Sequence, residues 1–179
     1  MPQPDVYPPE RIVAPDPGWS RRFSELSAGL HRDLGDGWQV EHVGSTSVPG
    51  LVAKPVVDLA LGVPRGLSVS GAGRDLRAAG WTEPVVVGDH QATFLLDGPV
   101  RTAIGHLFTA DQWATAHVRL FADWLRRHPA DRDAYAALKS GLVAAGTWGE
   151  GYTRGKATFV LDVVNRARAE RALTPVEAL

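Results

Sequence analysis

The chain has 179 residues, enough for one compact domain with a hydrophobic core, and its 44% hydrophobic and 22% charged residues are typical of a globular protein. A net charge of -1 argues against a dedicated nucleic-acid binder, which needs a basic excess to neutralise phosphates. The absence of cysteine excludes disulfides, thiolate zinc sites and a cysteine nucleophile. No signal-peptide pattern and no apolar run of about 18 residues is present, so we expect a cytoplasmic protein without a membrane partner.

The first predicted elements are an extended arm over residues 1–15 and an amphipathic helix that follows it. We expect Asp16 to cap the helix and Pro17 to occupy its first position, because the fixed φ of proline suits that position. The helix ends at Gly35-Asp36-Gly37, and its apolar face has spacings of three and four: Trp19, Phe23, Leu26, Leu30 and Leu34.

The middle of the chain predicts strands with one helix between them. Residues 55–63 are apolar and rich in β-branched side chains, apart from Asp58 and Gly62, which indicates a buried central strand. Before it, residues 44–54 predict a loop whose first part opens a short helix capped by Ser45. The other predicted strands span residues 38–43, 81–87, 93–96 and 100–108, and the predicted helix spans residues 67–79.

The C-terminal third predicts helices. Trp113, His117, Leu120 and Trp124 share one helical stripe, and His128-Pro129 ends that helix. Residues 131–145 and 153–171 predict two more, the last with a buried face of Phe159, Val160, Val163, Val164 and Ala167. The layout is an α+β (α/β) fold with a mixed β-sheet, flanking helices and a helical C-terminal third, and we expect a single domain over residues 1–179.

Asp58 is a chemical anomaly, because it lies inside residues 55–61, PVVDLAL, a segment otherwise suited to burial. A buried charge needs compensation, so we expect Asp58 to be paired, hydrogen-bonded, bound to a metal or placed at the strand's edge over a cleft. A structural ion pair explains such a residue equally well, and these residues alone leave the alternatives open.

The loop before this strand has the composition of a phosphate-binding turn. Gly44 allows close approach of the backbone to a ligand, and three hydroxyls follow on Ser45, Thr46 and Ser47. Lys54 adds a positive charge suited to phosphate. An ordinary capped turn is the alternative, and the segment lacks the Gly-Lys-Ser/Thr ending of a P-loop.

A longer pattern contains both features. Residues 41–58, which read EHVGSTSVPGLVAKPVVD, resemble the signature of the GrpB family, within the polymerase-beta-type nucleotidyltransferase superfamily. The resemblance implies a nucleotidyltransferase-like mixed β-sheet flanked by helices. It covers nearly the whole chain and continues through Pro17-Gly18-Trp19, Phe23, Arg101-Thr102, His106-Leu107, residues 121–128, residues 135–139, Tyr152 and Lys156.

The resemblance implies an enzyme that uses ATP or another nucleoside triphosphate with a small-molecule acceptor. Phosphates would bind to the turn and Mg²⁺ to Asp58, with Glu41 as a second carboxylate if its strand is adjacent. The implied phosphate-binding residues are Gly44, Ser45, Thr46, Ser47 and Lys54.

Four further residues receive roles from the same resemblance. Arg101 or Lys54 would offset charge in the transition state, and His106 would act as a general acid or base, because the pKa of histidine lies near neutrality. Tyr152 and Lys156 lie one helical turn apart and would bind the nucleotide or the acceptor. The alternative for His106 is a strand histidine that only packs or forms hydrogen bonds. The alternative for Tyr152 and Lys156 is a solvated helix start with a packed tyrosine.

Two positions depart from the related patterns. The superfamily strand reads Asp-x-Asp or Asp-x-Glu, whereas Ala60 stands two residues after Asp58, and the family's His-Leu-His ends here in Phe108. Three classes therefore stay open. The first is an enzyme, either a nucleotidyltransferase or, as a variant, an ATP-dependent ligase that couples a carboxylate to an amine. The second is a catalytically degenerate protein that binds a nucleotide or phosphate. The third is a plain partner-binding domain. Nothing in the pattern indicates the oligomeric state.

Overall fold

A computed structural model describes residues 7–8 and 11–179, so most of the predicted arm, residues 1–6 and 9–10, lies outside the described residues. The helices are α1 (Gly18–Leu34), α2 (Val69–Ala78), α3 (His117–Arg127), α4 (Pro129–Ala144) and α5 (Gly149–Ala169). The strands are β1 (Gln39–Val43), β2 (Val57–Gly62), β3 (Val85–Val87), β4 (His90–Asp97) and β5 (Val100–Phe108). None of the helices in the described part of the chain is both long and apolar enough to cross a membrane.

The strands form one mixed sheet in the order β1-β2-β5-β4-β3. Strands β2 and β5 are parallel, and the other neighbours are antiparallel. The predicted α+β class with a helical C-terminal third is therefore confirmed. The predicted buried strand, β2, lies inside the sheet between β1 and β5.

Strand β2 separates two apolar clusters through the alternation of its side chains. Val57, Leu59 and Leu61 pack with Leu30 of α1 and Leu76 of α2. The positions between them therefore face the opposite side of the sheet, where the C-terminal helices lie. This alternation sends Asp58 toward the helical third of the chain.

The ends of several elements differ from the prediction. Strand β3 is confined to three residues, because Pro84 lacks the N–H that a β-ladder needs. Strand β4 begins earlier than predicted, at His90. Trp113 belongs to a separate 3₁₀ turn, Trp113–Thr115, so the helical stripe of α3 begins at His117.

Helix α1 begins one residue later than predicted. Pro17 is its cap residue rather than its first helical residue. The amide of Gly18 donates to Asp16 Oδ1 at 2.8 Å, so Asp16 supplies a hydrogen bond to the helix N-terminus from one position further out. At the other end, Gly35 has φ of +89° and its amide donates to His31 O, which confirms the predicted stop.

Gly105 of β5 tests the packing of this sheet. A Cβ there would lie 2.6 Å from Leu61 Cδ1 and 3.0 Å from Thr93 Cγ2. We expect Gly105→Ala to lower the free energy of unfolding by about 1–3 kcal/mol, because a core side chain must move. Urea denaturation measures this change.

Gly141 in α4 provides the matched control, because a Cβ there meets nothing within 4 Å. Gly141→Ala is expected to raise the free energy of unfolding by about 0.5–1 kcal/mol, the usual gain from alanine within a helix. Equal free energies for the two variants would contradict the described packing of β5.

Candidate active site

The Gly-Ser turn is shaped by its contact with Asp58. Gly44 has φ of +66°, and a Cβ at this position would overlap the Asp58 side chain. After it the chain forms a single 3₁₀ turn, Ser45–Ser47, and Ser47 Oγ donates to Gly44 O at 2.7 Å. Ser45 does not cap this turn, contrary to the prediction, because one 3₁₀ turn is too short to continue into a capped helix.

Two side chains hold the turn from outside the cavity. His42 Nε2 lies 3.0 Å from Thr46 Oγ1, while Arg126 of α3 donates to His42 O at 2.7 Å and to Ser47 O at 3.2 Å. Burial, and then the charge of Arg126, lowers the pKa of His42 to about 4. His42 is therefore neutral near pH 7 and serves to fix the turn.

A cavity of about 280 Å³ lies between this turn, strands β2 and β5, and helices α3, α4 and α5. Five parts of the chain far apart in sequence contribute to its lining. The structure thus brings together eight of the residues predicted from the sequence: Gly44, Ser45, Thr46, Lys54, Asp58, His106, Tyr152 and Lys156.

Lysine is used in this chain only at the cavity. The sequence has 19 Lys and Arg residues, of which three are lysines: Lys54, Lys139 and Lys156. All three line the cavity. The sequence prediction omitted Lys139, and this rarity of lysine, with two of the three already placed in the site, is the signal that could have found it.

Lys139 joins α4 to the Gly-Ser turn. Its side chain is 2% exposed, and its Nζ donates to Ser45 Oγ at 2.9 Å and, through a short contact, to Val52 O. Tyr135, one helical turn earlier, is also buried and lines the cavity together with Ser45, and burial raises the pKa of its hydroxyl. The hydroxyl of Ser45 is therefore positioned by a buried lysine of α4.

Burial also changes the charge of the lysines. Burial, followed by the nearby charges of Lys156 and Lys54, lowers the pKa of Lys139 to about 7, although Asp58 opposes this change. Burial and Lys54 lower the pKa of Lys156 to about 8, again against Asp58. Both lysines therefore change between their neutral and charged forms near neutral pH. An anion in the cavity would favour the charged forms.

Asp58 and His106 lie together in the cavity. His106 Nε2 is 3.4 Å from Asp58 Oδ1, and the two side chains are 16% and 24% exposed. The other ring nitrogen, Nδ1, is 2.8 Å from Nε2 of His90 on the neighbouring strand. Burial, and then the proximity of His106, lowers the pKa of His90. A connected set of titratable groups therefore runs from Asp58 through His106 to His90.

Glu41 is not brought to this set. Its strand is adjacent to β2, as the hypothesis required, and Glu41 pairs in register with Ala60. Its carboxylate, however, accepts a hydrogen bond at 2.6 Å from Arg119 and lines a different cavity. Ala60 is fully buried in an apolar cluster with Phe108. Within the described residues, Asp58 is the one carboxylate that lines the main cavity.

Arg101 and Ser47 also lie outside the lining of the cavity. The guanidinium of Arg101 is 3.8 Å from the centre of the Phe94 ring and donates to the hydroxyl of Tyr7 at 2.9 Å. The Tyr7 ring in turn covers Lys54 Nζ at 3.8 Å. Among the described residues, Tyr7 therefore connects Arg101 to the edge of the site.

The low lysine pKa values are directly testable, because ¹³C-lysine labelling gives only three side-chain signals. We expect the Lys139 signal to titrate near pH 7 and the Lys156 signal near pH 8, assigned with Lys139→Met and Lys156→Met. The folded chain then releases these protons below the ordinary pKa of 10.5, so the free energy of unfolding rises with pH between about 7 and 10.5. Titration of both signals near 10.5 would contradict the described burial.

Comparison with known proteins gives a consistent family and fold. The family model described as GrpB protein matches residues 9–166. A UPF0157 protein of Halalkalibacterium halodurans is 34% identical over 157 residues, which cover 86% of this chain and 80% of the relative. The crystal structure of the conserved protein GrpB from Enterococcus faecalis has a TM-score of 0.76 and 24% identity, and the match covers 90% of this chain and 99% of that chain.

A more distant similarity concerns the fold alone. A structure of the Cid1 poly(U) polymerase with Mg 3'-dATP bound has a TM-score of 0.53 and 13% identity, and the match covers 84% of this chain and 49% of that chain. The predicted nucleotidyltransferase-like fold is thereby confirmed. Because the family model spans most of the residues and the relative exceeds 30% identity over most of both chains, this chain belongs to the GrpB family.

Proposed function

We propose that this chain transfers a nucleotidyl group from ATP or another nucleoside triphosphate to a small-molecule acceptor. One observation supports the proposal above the others: the Gly-Ser turn, Asp58 and all three lysines of the chain meet at one cavity of a nucleotidyltransferase-like fold. The cavity combines groups that attract phosphate with a carboxylate suited to Mg²⁺.

The electrostatics of the cavity favour a polyanion. Lys54, Lys139 and Lys156 offer up to three positive charges against the single negative charge of Asp58. Burial, and then repulsion from the neighbouring lysines, lowers the pKa of Lys139 and Lys156, and a bound triphosphate would oppose this change by favouring the charged forms. Phosphate binding would therefore be coupled to proton uptake near neutral pH.

The donor atoms fit one Mg²⁺ ion but not two. Asp58 would hold a single Mg²⁺ whose remaining ligands are phosphate oxygens and water, as Mg²⁺ commonly accepts few protein ligands. A two-metal clamp needs further carboxylates, but Glu41 is paired with Arg119 and Ala60 is closed off in an apolar cluster. A bound Mg²⁺ would neutralise charge that develops on the phosphate oxygens.

The protein's own groups can supply positioning and proton transfer. Lys139 would hold Ser45 toward the phosphates, since it already donates a hydrogen bond to the Ser45 hydroxyl. His106 would transfer a proton to or from the reacting groups as a general acid or base, because its Nε2 faces the cavity beside Asp58 and its Nδ1 is supported by His90. The phosphate contacts would thus come from α4 and the Gly-Ser turn, and the group that transfers a proton would come from β5.

A second candidate is a phosphate- or nucleotide-binding protein without turnover. The loss of a second carboxylate at Ala60 and the pairing of Glu41 with Arg119 favour it, because they leave the binding groups in place while reducing the metal ligands. Binding and turnover therefore need separate experiments.

The first experiment is calorimetric titration with ATP, with and without Mg²⁺. We expect Asp58→Asn to abolish the Mg²⁺-dependent gain in affinity, tenfold or more in the unmodified chain, and to leave Mg²⁺-free binding equal or tighter, because the carboxylate no longer repels phosphate. Asp97→Asn is the control, because Asp97 lies at the exposed end of β4. Wild-type Mg²⁺ dependence in Asp58→Asn would contradict the assignment of Asp58.

The second experiment measures product release with a panel of hydroxyl, amine and carboxylate acceptors. Nucleotidyl transfer predicts pyrophosphate and a nucleotidylated acceptor. We expect His106→Gln to lower kcat by about 10²–10⁴ with little change in the KM for ATP, because a proton-transfer group is lost while the phosphate contacts remain. AMP or ADP release with coupling of a carboxylate to an amine would instead identify a ligase, and binding without release would favour the second candidate.

A further inference from the structure

Three side chains of the types that bind metal ions lie close together beside the cavity. Asp89 precedes β4, His90 is the first residue of β4, and His117 is the first residue of α3. Asp89 Oδ1 is 2.9 Å from His90 Nδ1 and 3.4 Å from His117 Nδ1. We propose that these three side chains bind one divalent transition-metal ion of the zinc class.

The spacing of the donor atoms fits a single ion. One donor atom from each of the three residues lies within 4.8 Å of the others. Two ligands at about 2.1 Å from a tetrahedral ion are separated by roughly 3.4 Å, so small side-chain shifts would complete the site. Two imidazoles and one carboxylate suit zinc and its neighbours, whereas Mg²⁺ prefers oxygen ligands.

An unsatisfied ring nitrogen points to the same ion. Nδ1 of His117 is buried and has no hydrogen-bond partner. Asp89 Oδ1 is 3.4 Å away, but its position does not meet the geometry of a hydrogen bond. A buried polar nitrogen without a partner is unfavourable, and a metal ion would supply the missing partner. A hydrogen bond alone would explain the contact between Asp89 and His90, but it would leave Nδ1 of His117 without a partner.

The cluster is also accessible to an ion. Asp89 is 50% exposed, while His90 and His117 are 6% and 13% exposed. A small cavity of about 110 Å³ opens beside Asp89 and His117 and is also lined by Gln112 and Thr115. An ion can therefore enter from the Asp89 side and meet two imidazoles that are already largely desolvated.

Metal binding here would orient the neighbouring catalytic candidate. An ion on His90 Nδ1 leaves the proton of that ring on Nε2, which is 2.8 Å from His106 Nδ1. His90 then donates to His106, and His106 carries its own proton on Nε2, toward Asp58. His90 would then be a positioning residue for His106. This consequence, unlike metal binding itself, rests on the proposed role of His106.

The test uses full-length, tag-free protein that has been dialysed against a chelator and contains no nucleotide. Calorimetric titration with Zn²⁺ and the visible absorption of Co²⁺ are expected to show one bound equivalent. Asp89→Asn and His117→Gln should each weaken binding at least tenfold. Asp97→Asn and Asp58→Asn should bind Zn²⁺ as the unmodified chain does, which distinguishes this site from a metal site at Asp58.

Far-UV circular dichroism and urea denaturation check that each variant folds. Asp89→Asn decides the question if His117→Gln does not fold, because the Asp89 side chain is half exposed. The proposal is wrong if the unmodified chain binds no equivalent, if Asp89→Asn binds as tightly as the unmodified chain, or if only Asp58→Asn loses the ion. A shift of His106 to the Nε2–H tautomer on Zn²⁺ addition, seen by ¹⁵N NMR, would support the positioning role, and an unchanged tautomer would refute that role alone.

Discussion

The negative charge of Asp58 imposes the constraint that organises this molecule. It lies in a strand whose other side chains are almost completely buried, so its carboxylate must meet compensating groups across the sheet face. The helical third supplies them: Lys139 comes from α4 and Lys156 from α5. Asp58 favours the charged forms of both lysines, while burial opposes them. This balance keeps the lysines responsive to an anion.

The same contacts connect the site to the fold. Lys139 donates to Ser45 and Val52, so α4 is fastened to the turn and to the segment that follows it. Arg126 of α3 donates to the carbonyl groups of His42 and Ser47 from the other side. The turn is therefore held between two helices of the C-terminal third, and these helices are part of the candidate active site rather than an addition to it.

Local sequence signals predicted much of this arrangement. Strand β5 has the predicted bounds, and Asp58 was identified because a charge in an apolar β-branched segment is conspicuous without any knowledge of its neighbours. The Gly-Ser turn was identified in the same way, although its 3₁₀ geometry was not, because helix capping and a single tight turn share the same residue types.

Long-range partners could not be predicted from local patterns. The strand of Glu41 lies next to β2, which was the condition for a second carboxylate, but the ion pair of Glu41 joins residues 78 positions apart in sequence and removes the carboxylate from the site. The bond between Lys139 and Ser45 spans 94 positions, and a lysine in an amphipathic helix normally indicates a solvated face. The link from His106 to His90 likewise depends on β4 beginning earlier than its composition indicated.

A crystal structure with Mg²⁺ and an ATP analogue whose α–β phosphate bridge cannot be cleaved would test directly whether this cavity binds a nucleoside triphosphate. Phosphates are expected against Ser45, Lys139 and Lys156, with one metal ion on Asp58 and none on Glu41. A triphosphate bound elsewhere on the chain, or a cavity from which Asp58 and the lysines make no contact with the phosphates, would contradict this expectation.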